Sequence, residues 1–203
     1  PRYLIDEIIS NSLEEVKNLE NLRILDPATG SGKFLISAYD FLLSKFYHTV
    51  EEKINLKKNI LGCLYAIDND YLAIDTAKFS LYMKVLEDES KETLINLKNI
   101  LPDLNNNIAL GNSIVDTDFS GNHENILPFS WLNFFGEEKF NFILCNPPYE
   151  ETKAIRKNID EFYYVRNKYK SAFKQFDKYF LFIEKSLNHL KENGQLGFLI
   201  PNK

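Results

Sequence analysis

Short apolar runs alternate along this chain with longer stretches whose apolar positions recur at helical spacing. Leu4, Ile5, Ile8, Ile9, Leu13 and Val16 carry that spacing and predict an opening helix between Tyr3 and Val16. Leu22 to Asp26 (Leu-Arg-Ile-Leu-Asp) reads as a strand ending on an acid, and Gly32 to Tyr47 as the helix that follows it. The unit then recurs. Cys63 to Asp68 predicts a second strand, again ending on an acid, followed by a helix from about Tyr71 to Leu86. Asn107 to Leu110 suggests a short third strand leading into Gly111-Asn112-Ser113, and Phe140 to Cys145 a fourth running into Asn146-Pro147-Pro148-Tyr149. After a basic and aromatic segment come a helix from about Phe176 to Lys191, a stop at Gly194 and a fifth strand, Leu196 to Ile200.

Strands that alternate with helices or long connections predict an α/β fold: a Rossmann-like, mostly parallel sheet with helices on both faces. Sheets of this kind bind ligands at the carboxyl ends of their strands. Every unusual polar cluster in this sequence falls at such an end.

At 203 residues, with 44% hydrophobic and 14% aromatic content, the chain is long enough for one well-formed core, and a second full domain is not expected. Residues 1–203 are therefore read as one catalytic unit. The chain opens at Pro1 and closes on Pro201-Asn202-Lys203 directly after an apolar run, so it is expected to be a piece of a longer polypeptide. No run approaches the roughly 18 apolar residues of a membrane helix, and no signal peptide is visible, so a cytoplasmic location is expected. Cys63 and Cys145 form no CxxC pair and are expected to be buried, with neither a disulfide framework nor a metal site.

The net charge of −5 argues against coating nucleic acid by bulk electrostatics, but its distribution is uneven. Between Lys153 and Lys178, eight basic residues face three acids, giving +5 there and −10 over the remainder.

Three clusters carry chemistry. In Asp26-Pro27-Ala28-Thr29-Gly30-Ser31-Gly32, between the first strand and its helix, Gly30 and Gly32 let the backbone bend tightly against a nucleotide-like cofactor. Gly30-Ser31-Gly32-Lys33 also suggests a phosphate-binding loop, but that pattern needs Gly at Pro27 and Ser or Thr at Phe34. Asp68 offers a carboxylate for the two hydroxyls of a ribose. It follows the glycine turn by about forty residues, longer than the roughly twenty of a dinucleotide fold. The long first helix and the lysine-rich segment Lys53 to Lys58 absorb the excess.

Asn146-Pro147-Pro148-Tyr149 is the most specific feature. The Asn146 side chain and the Pro147 carbonyl present two acceptors, and the two prolines restrict the backbone and remove two N–H groups. An amino group held by both hydrogens has its lone pair free to meet an electrophilic methyl. Tyr149 adds an aromatic face for stacking a base.

With these residues in place, the chain resembles the N6-adenine DNA methyltransferases of restriction-modification systems, of the kind found in combined restriction-methylation enzymes and type I modification subunits. The resemblance spans nearly the whole chain. Asp26 to Phe34 is similar to the family's cofactor loop, with Asp26, Ala28, Gly30, Gly32 and Phe34 at its motif positions. Asp68 matches the ribose acid, and Gly111-Asn112-Ser113 the loop beside the cofactor adenine, where the family often has Asp in place of Asn112. Asn146, Pro147, Pro148 and Tyr149 match the catalytic motif. Phe176 to Leu187, Gly194 to Lys203 and Pro1 to Ile9 resemble further family segments.

The resemblance implies an S-adenosyl-L-methionine cofactor, double-stranded DNA as partner, and direct methyl transfer to a flipped-out adenine. It implies a target-recognition region beyond Lys203, or a specificity subunit in its place. Three other readings stand beside it: an amino-methyltransferase acting on RNA or on a protein glutamine, a non-catalytic module that binds S-adenosylmethionine, and a nucleotide hydrolase. His48, His123, His189 and Trp131 are assigned no role.

Overall fold

A computed structural model of the chain describes residues 2–48, 53–91, 95, 101–121 and 126–202; Pro1, His123 and Lys203 lie outside the described residues. Helix α1 (Arg2–Leu13) is followed by β1 (Ile24–Asp26), α2 (Lys33–Phe46), α3 (Lys53–Gly62), β2 (Leu64–Asp68) and α4 (Tyr71–Leu86). Next come β3 (Ile108–Leu110), the one-turn helix α5 (Trp131–Phe135) and β4 (Phe140–Cys145). Then follow α6 (Thr152–Ile155), α7 (Ile159–Lys168), α8 (Lys178–His189) and β5 (Leu190–Phe198).

The five strands form one sheet in the order β3-β2-β1-β4-β5, with every neighbouring pair parallel. The chain runs outward from β1 in one direction through β2 and β3, then returns to β1's other side with β4. The strand order thus reverses between β1 and β4, and the crevice of such a sheet opens at their carboxyl ends. Asp26 and Cys145-Asn146 stand at those ends.

Side-chain alternation along the strands divides the core between the two faces. Ile24, Leu64, Ala66 and Leu144 pack with α1 to α4, through residues such as Ile9, Leu35, Leu61 and Leu81. Their strand neighbours Leu25, Ile67 and Ile143 turn to the other face and pack with Trp131, Phe135 and Phe140. A third cluster joins Ile155, Phe162 and Val165 to Phe176, Leu181 and Phe182, anchoring the connection after β4. The near-continuous apolar strands follow from burial on both faces.

Two expectations change. The basic and aromatic stretch after Asn146-Pro147-Pro148-Tyr149 is folded into α6 and α7. Asn158 caps α7 by accepting from the Glu161 amide at 3.2 Å, and acids in its first turn with bases in its last suit the helix dipole. Gly194 is no helix stop. The helix ends at His189, and β5 begins at once with an irregular register, Phe140 opposite Leu190 but Phe142 opposite Gln195. A side chain at Gly194 would meet Leu190 Cγ at 2.8 Å and the Asn141 carbonyl at 3.0 Å, so glycine is kept there for close approach.

Lys53 to Lys58, expected to absorb part of the spacing between the glycine turn and Asp68, belongs to α3. Its Lys57 ammonium is buried and caps α4, donating to the carbonyls of Val85 (3.0 Å) and Glu87 (2.6 Å) and pairing with Glu89. Cys63 and Cys145 are buried and unpaired in any disulfide. Among the described residues no helix is long and apolar enough to cross a membrane.

Candidate functional site

Four chain segments meet above the carboxyl ends of β1, β2, β3 and β4, and hydrogen bonds lock the first three together. The Gly30 amide donates to Asp68 Oδ2 at 2.7 Å, and the Thr29 amide to the Ile67 carbonyl at 3.1 Å. Gly111 donates to the Asp68 carbonyl at 2.8 Å, and the Ser113 hydroxyl to the Pro27 carbonyl at 2.5 Å. Asn112 turns its side-chain oxygen inward to the Ile114 amide at 3.1 Å. Trp131, which no sequence pattern ties to the site, clamps this loop from below by donating its indole N–H to the Ser113 carbonyl at 3.0 Å.

Asp26 lies beneath this floor, 2% exposed, accepting from the Ala28 amide at 3.1 Å. Burial pushes its carboxyl up to about 7. The Asp68 charge adds to the rise, and bonds from Ala28 and the Cys145 thiol oppose it. Gly30 and Gly32 both adopt left-handed backbone conformations, with φ of 51° and 79°. Gly32 also packs against α4, where a Cβ would stand 3.1 Å from that of Ala77. Phe34 is buried in the core below the loop. Asp26 and Phe34 are thus buried at the base of the loop, and Gly32 is packed against α4.

A cleft of about 270 Å³ opens above, walled by Pro27, Ala28, Asp68, Asn69 and the loop Gly111 to Ser113 on one side. Asn146, Pro148, Glu150, Lys178 and Phe182 complete it. A second, mainly apolar cavity of about 330 Å³ lies between α1, α2 and the end of β5, lined by Ile5, Lys33, Ile36 and Leu199 among others. Asn146 lines both. It stands where the polar cleft and the apolar cavity adjoin.

Glu150, Lys178 and Phe182 are cleft residues that sequence reasoning missed. Lys178 is drawn in by Glu150 at 3.0 Å and Glu161 at 3.3 Å, and so brings a paired charge to the cleft wall. Their only sequence signal is adjacency to Asn146-Pro147-Pro148-Tyr149 and membership of the Phe176 to Leu187 segment. Pro147 is buried, while Tyr149 is 48% exposed and its hydroxyl oxygen lies within hydrogen-bond reach of the Asn146 carboxamide and, at 2.9 Å, of the Leu199 carbonyl.

The basic segment divides into engaged and open cations. Lys168 pairs with Asp118, Lys178 with two glutamates, and Arg166 donates to the Lys174 carbonyl at 2.9 Å. Lys153, Arg156 and Lys157 make no salt bridge among the described residues; Arg156 lies over the Phe162 ring, 4.9 Å from its centroid, while Lys153 on α6 and Lys157 just beyond it are exposed. They follow Asn146-Pro147-Pro148-Tyr149 closely in the chain, and that region is fixed to it. Thr152 and Phe176 exchange three short hydrogen bonds, and Lys178 donates its amide to the Glu150 carbonyl at 2.7 Å.

The parallel sheet thus sets the glycine loop and the Asn-Pro-Pro-Tyr turn on either side of its strand-order reversal. Residues 62–203 match the model of the Eco57I restriction-modification methylase family, and the chain belongs to that family. It is 38% identical over 233 aligned positions to the type II restriction enzyme and methyltransferase RM.Eco57I of Escherichia coli, covering 100% of this chain and 23% of that protein. It is 28% identical to the type II methyltransferase M.BstVI of Geobacillus stearothermophilus, covering 92% of this chain and 30% of the relative. The chain thus spans less than a third of either. Among solved structures, the ATP-dependent Type ISP restriction-modification enzyme LlaBIII bound to DNA shares the fold with a TM-score of 0.66 at 20% identity, over 98% of this chain and 14% of that one.

Proposed function

We propose that this chain is the catalytic unit of an S-adenosylmethionine-dependent methyltransferase that modifies the N6 amino group of adenine in double-stranded DNA. The observation that carries the reading is the position of Asn146 between a polar cleft with a ribose-matching acid and an apolar cavity on its other side. The donor set fits the cofactor. Asp68 spends one lone pair on the Gly30 amide and one on the Asp70 amide at 3.0 Å. A carboxylate has about four such sites, so acceptors remain for a vicinal pair of hydroxyls. Ala28, Asn112 and Ser113 share a wall of the cleft with Asp68 and would hold the nucleoside beside it, with Gly30 and Gly32 bending the loop toward its amino-acid end.

S-adenosylmethionine supplies the electrophilic methyl when bound. Asn146 and the Pro147 carbonyl hold the two hydrogens of the target amino group and so aim its lone pair, and the two prolines fix the approach. Rate acceleration comes mainly from this orientation. The target base must leave the duplex, at a cost of a few kcal/mol. Tyr149 offers a stacking face, and Lys153, Arg156 and Lys157 offer phosphate contacts beside the loop. The DNA-bound neighbour LlaBIII and the type II relatives support DNA as the substrate. A target-recognition region or specificity subunit would supply sequence choice.

The test is tritiated methyl incorporation by the intact protein into DNA, followed by nucleoside analysis. N6-methyladenine is expected, and Asn146→Ala should abolish it while cofactor affinity stays within about threefold, because the lost acceptor serves substrate and transition state. N4-methylcytosine as product would overturn the base assignment. Label found only in RNA or protein would overturn the substrate class, and substantial methylation by Asn146→Ala would remove its catalytic role.

A further inference from the structure

The Asn146 carboxamide is exposed, and Tyr149 is its one side-chain hydrogen-bond partner among the described residues. An amide held at a single point has two orientations related by a flip, and only one turns its oxygen toward an incoming amino group. The two orientations are nearly isosteric, so their choice rests on the hydrogen-bond network around them.

Proton counting decides it. The Tyr149 oxygen lies in reach of two groups, the Asn146 amide and the Leu199 carbonyl, yet a phenol carries one proton. The Leu199 carbonyl can only accept. It is also fixed in place, because the Leu199 amide donates to the Cys145 carbonyl at 2.9 Å and ties the end of β5 to the end of β4. Desolvation, and secondarily Cys145, hold the phenol above its ordinary pKa, so the proton stays on the ring oxygen. With that proton committed to Leu199, the Tyr149 oxygen presents lone pairs to Asn146. An amide nitrogen satisfies them, and an amide oxygen is repelled.

We infer that Tyr149 is a positioning residue for the reaction: its hydroxyl, donated to the Leu199 carbonyl, accepts from Asn146 Nδ2 and so turns Asn146 Oδ1 toward the target amino group before substrate arrives. The inference rests on the function proposed above and assigns the hydroxyl a task separate from the stacking of the ring.

The experiment compares Tyr149→Phe with the wild type in the intact protein. The ring is retained, so KM for DNA, cofactor affinity and extrusion of the target base, followed by 2-aminopurine fluorescence at the site located by methylation sequencing, should stay within about twofold. Turnover should fall about fivefold, the scale of one lost neutral hydrogen bond. A side chain that only stacks, or only stabilises the fold, would leave this kcat-against-KM split unmoved, and equal turnover in the two proteins overturns the inference.

A second readout needs no activity. With asparagine labelled by nitrogen-15, one of the two Asn146 Nδ2 proton resonances, identified by their loss in Asn146→Ala, should move upfield in Tyr149→Phe as its hydrogen-bond acceptor is removed, while the other holds its place. An unshifted resonance overturns the inference whatever the substrate proves to be. Absence of DNA methylation by the wild type together with a shifted resonance would instead overturn the DNA reading and leave the orientation of Asn146 standing.

Discussion

The Gly30 amide and the Asp68 carboxylate, 38 residues apart in sequence, meet at 2.7 Å across the carboxyl ends of β1 and β2. One oxygen of Asp68 holds the glycine loop, and the other receives the Asp70 amide at the start of α4. The proposed ribose acid is therefore also the pin that sets the loop's height above the sheet, so cofactor contact and loop geometry are coupled through one side chain.

That coupling predicts how substitutions at Asp68 separate. Asp68→Ala loses hydrogen bonds to a charged acceptor, worth roughly 1.5 to 3 kcal/mol, and should weaken S-adenosylmethionine binding at least tenfold by calorimetry. Asp68→Asn keeps an oxygen for Gly30 and should lose less. Unchanged affinity in Asp68→Ala would remove it from the site.

Asp26 predicts a pH dependence of stability with the opposite sign to an ordinary paired carboxylate. Its folded pKa of about 7 lies above the unfolded value of about 3.9, so between those limits the native state binds more protons than the unfolded one. Its contribution is fully present below about pH 4 and is lost as pH rises toward 7, by about 4 kcal/mol at most. Denaturant midpoints for wild type and Asp26→Asn should therefore diverge in favour of the variant as pH rises through that window. Parallel curves would show that the buried carboxyl is not protonated there.

The two loop glycines should not respond alike. A Cβ added at Gly30 would point into open space, whereas one at Gly32 would stand 3.1 Å and 3.2 Å from Ala77 Cβ and Cα on α4. Gly30→Ala meets only the left-handed backbone penalty, about 1 to 2 kcal/mol. Gly32→Ala adds a clash against a helix and should lower the urea midpoint further. Equal losses would mean that packing on α4 does not fix the loop.

Open and engaged cations should separate by salt. Replacing Lys153 and Lys157 by Gln should weaken DNA binding by the intact protein uniformly across sequences, and reduce the slope of affinity against salt by about 1 for each phosphate no longer neutralised. Lys168→Gln, whose charge is already paired with Asp118, should leave the slope unchanged. Identical effects at all three positions would restore the picture of one undivided basic stripe.

Much of this protein is legible in its sequence because the deciding interactions are local. Short apolar runs and helical periodicity locate β1, β2, β4, α1, α2 and α4 to within a few residues, and Asp26, Asp68 and Asn146 at the ends of β1, β2 and β4 mark the rim of the crevice. Asn-Pro-Pro-Tyr needs no tertiary context, since two consecutive prolines restrict the backbone by themselves. Short helices escape such a reading where periodicity is weak: α5 has five residues and α6 four, too few for a pattern to repeat. Gly194 is ambiguous because a glycine after a helix serves equally as a stop or as a point of close approach, and only the pairing of β5 with β4 distinguishes them.

The sequence by itself determined the order of elements and the chemical type of each loop. Tertiary structure alone decided which groups meet. Lys153 and Lys178 are the same residue type 25 positions apart, yet one stays open beside the catalytic loop while the other is drawn into the cleft wall by Glu150 and Glu161. Tyr149 and Leu199 are 50 residues apart and are joined only because β4 and β5 lie side by side in the sheet. Propensity and periodicity act over a few residues, whereas hydrogen bonds and ion pairs depend on distances of a few ångströms that exist only once the strands are in register.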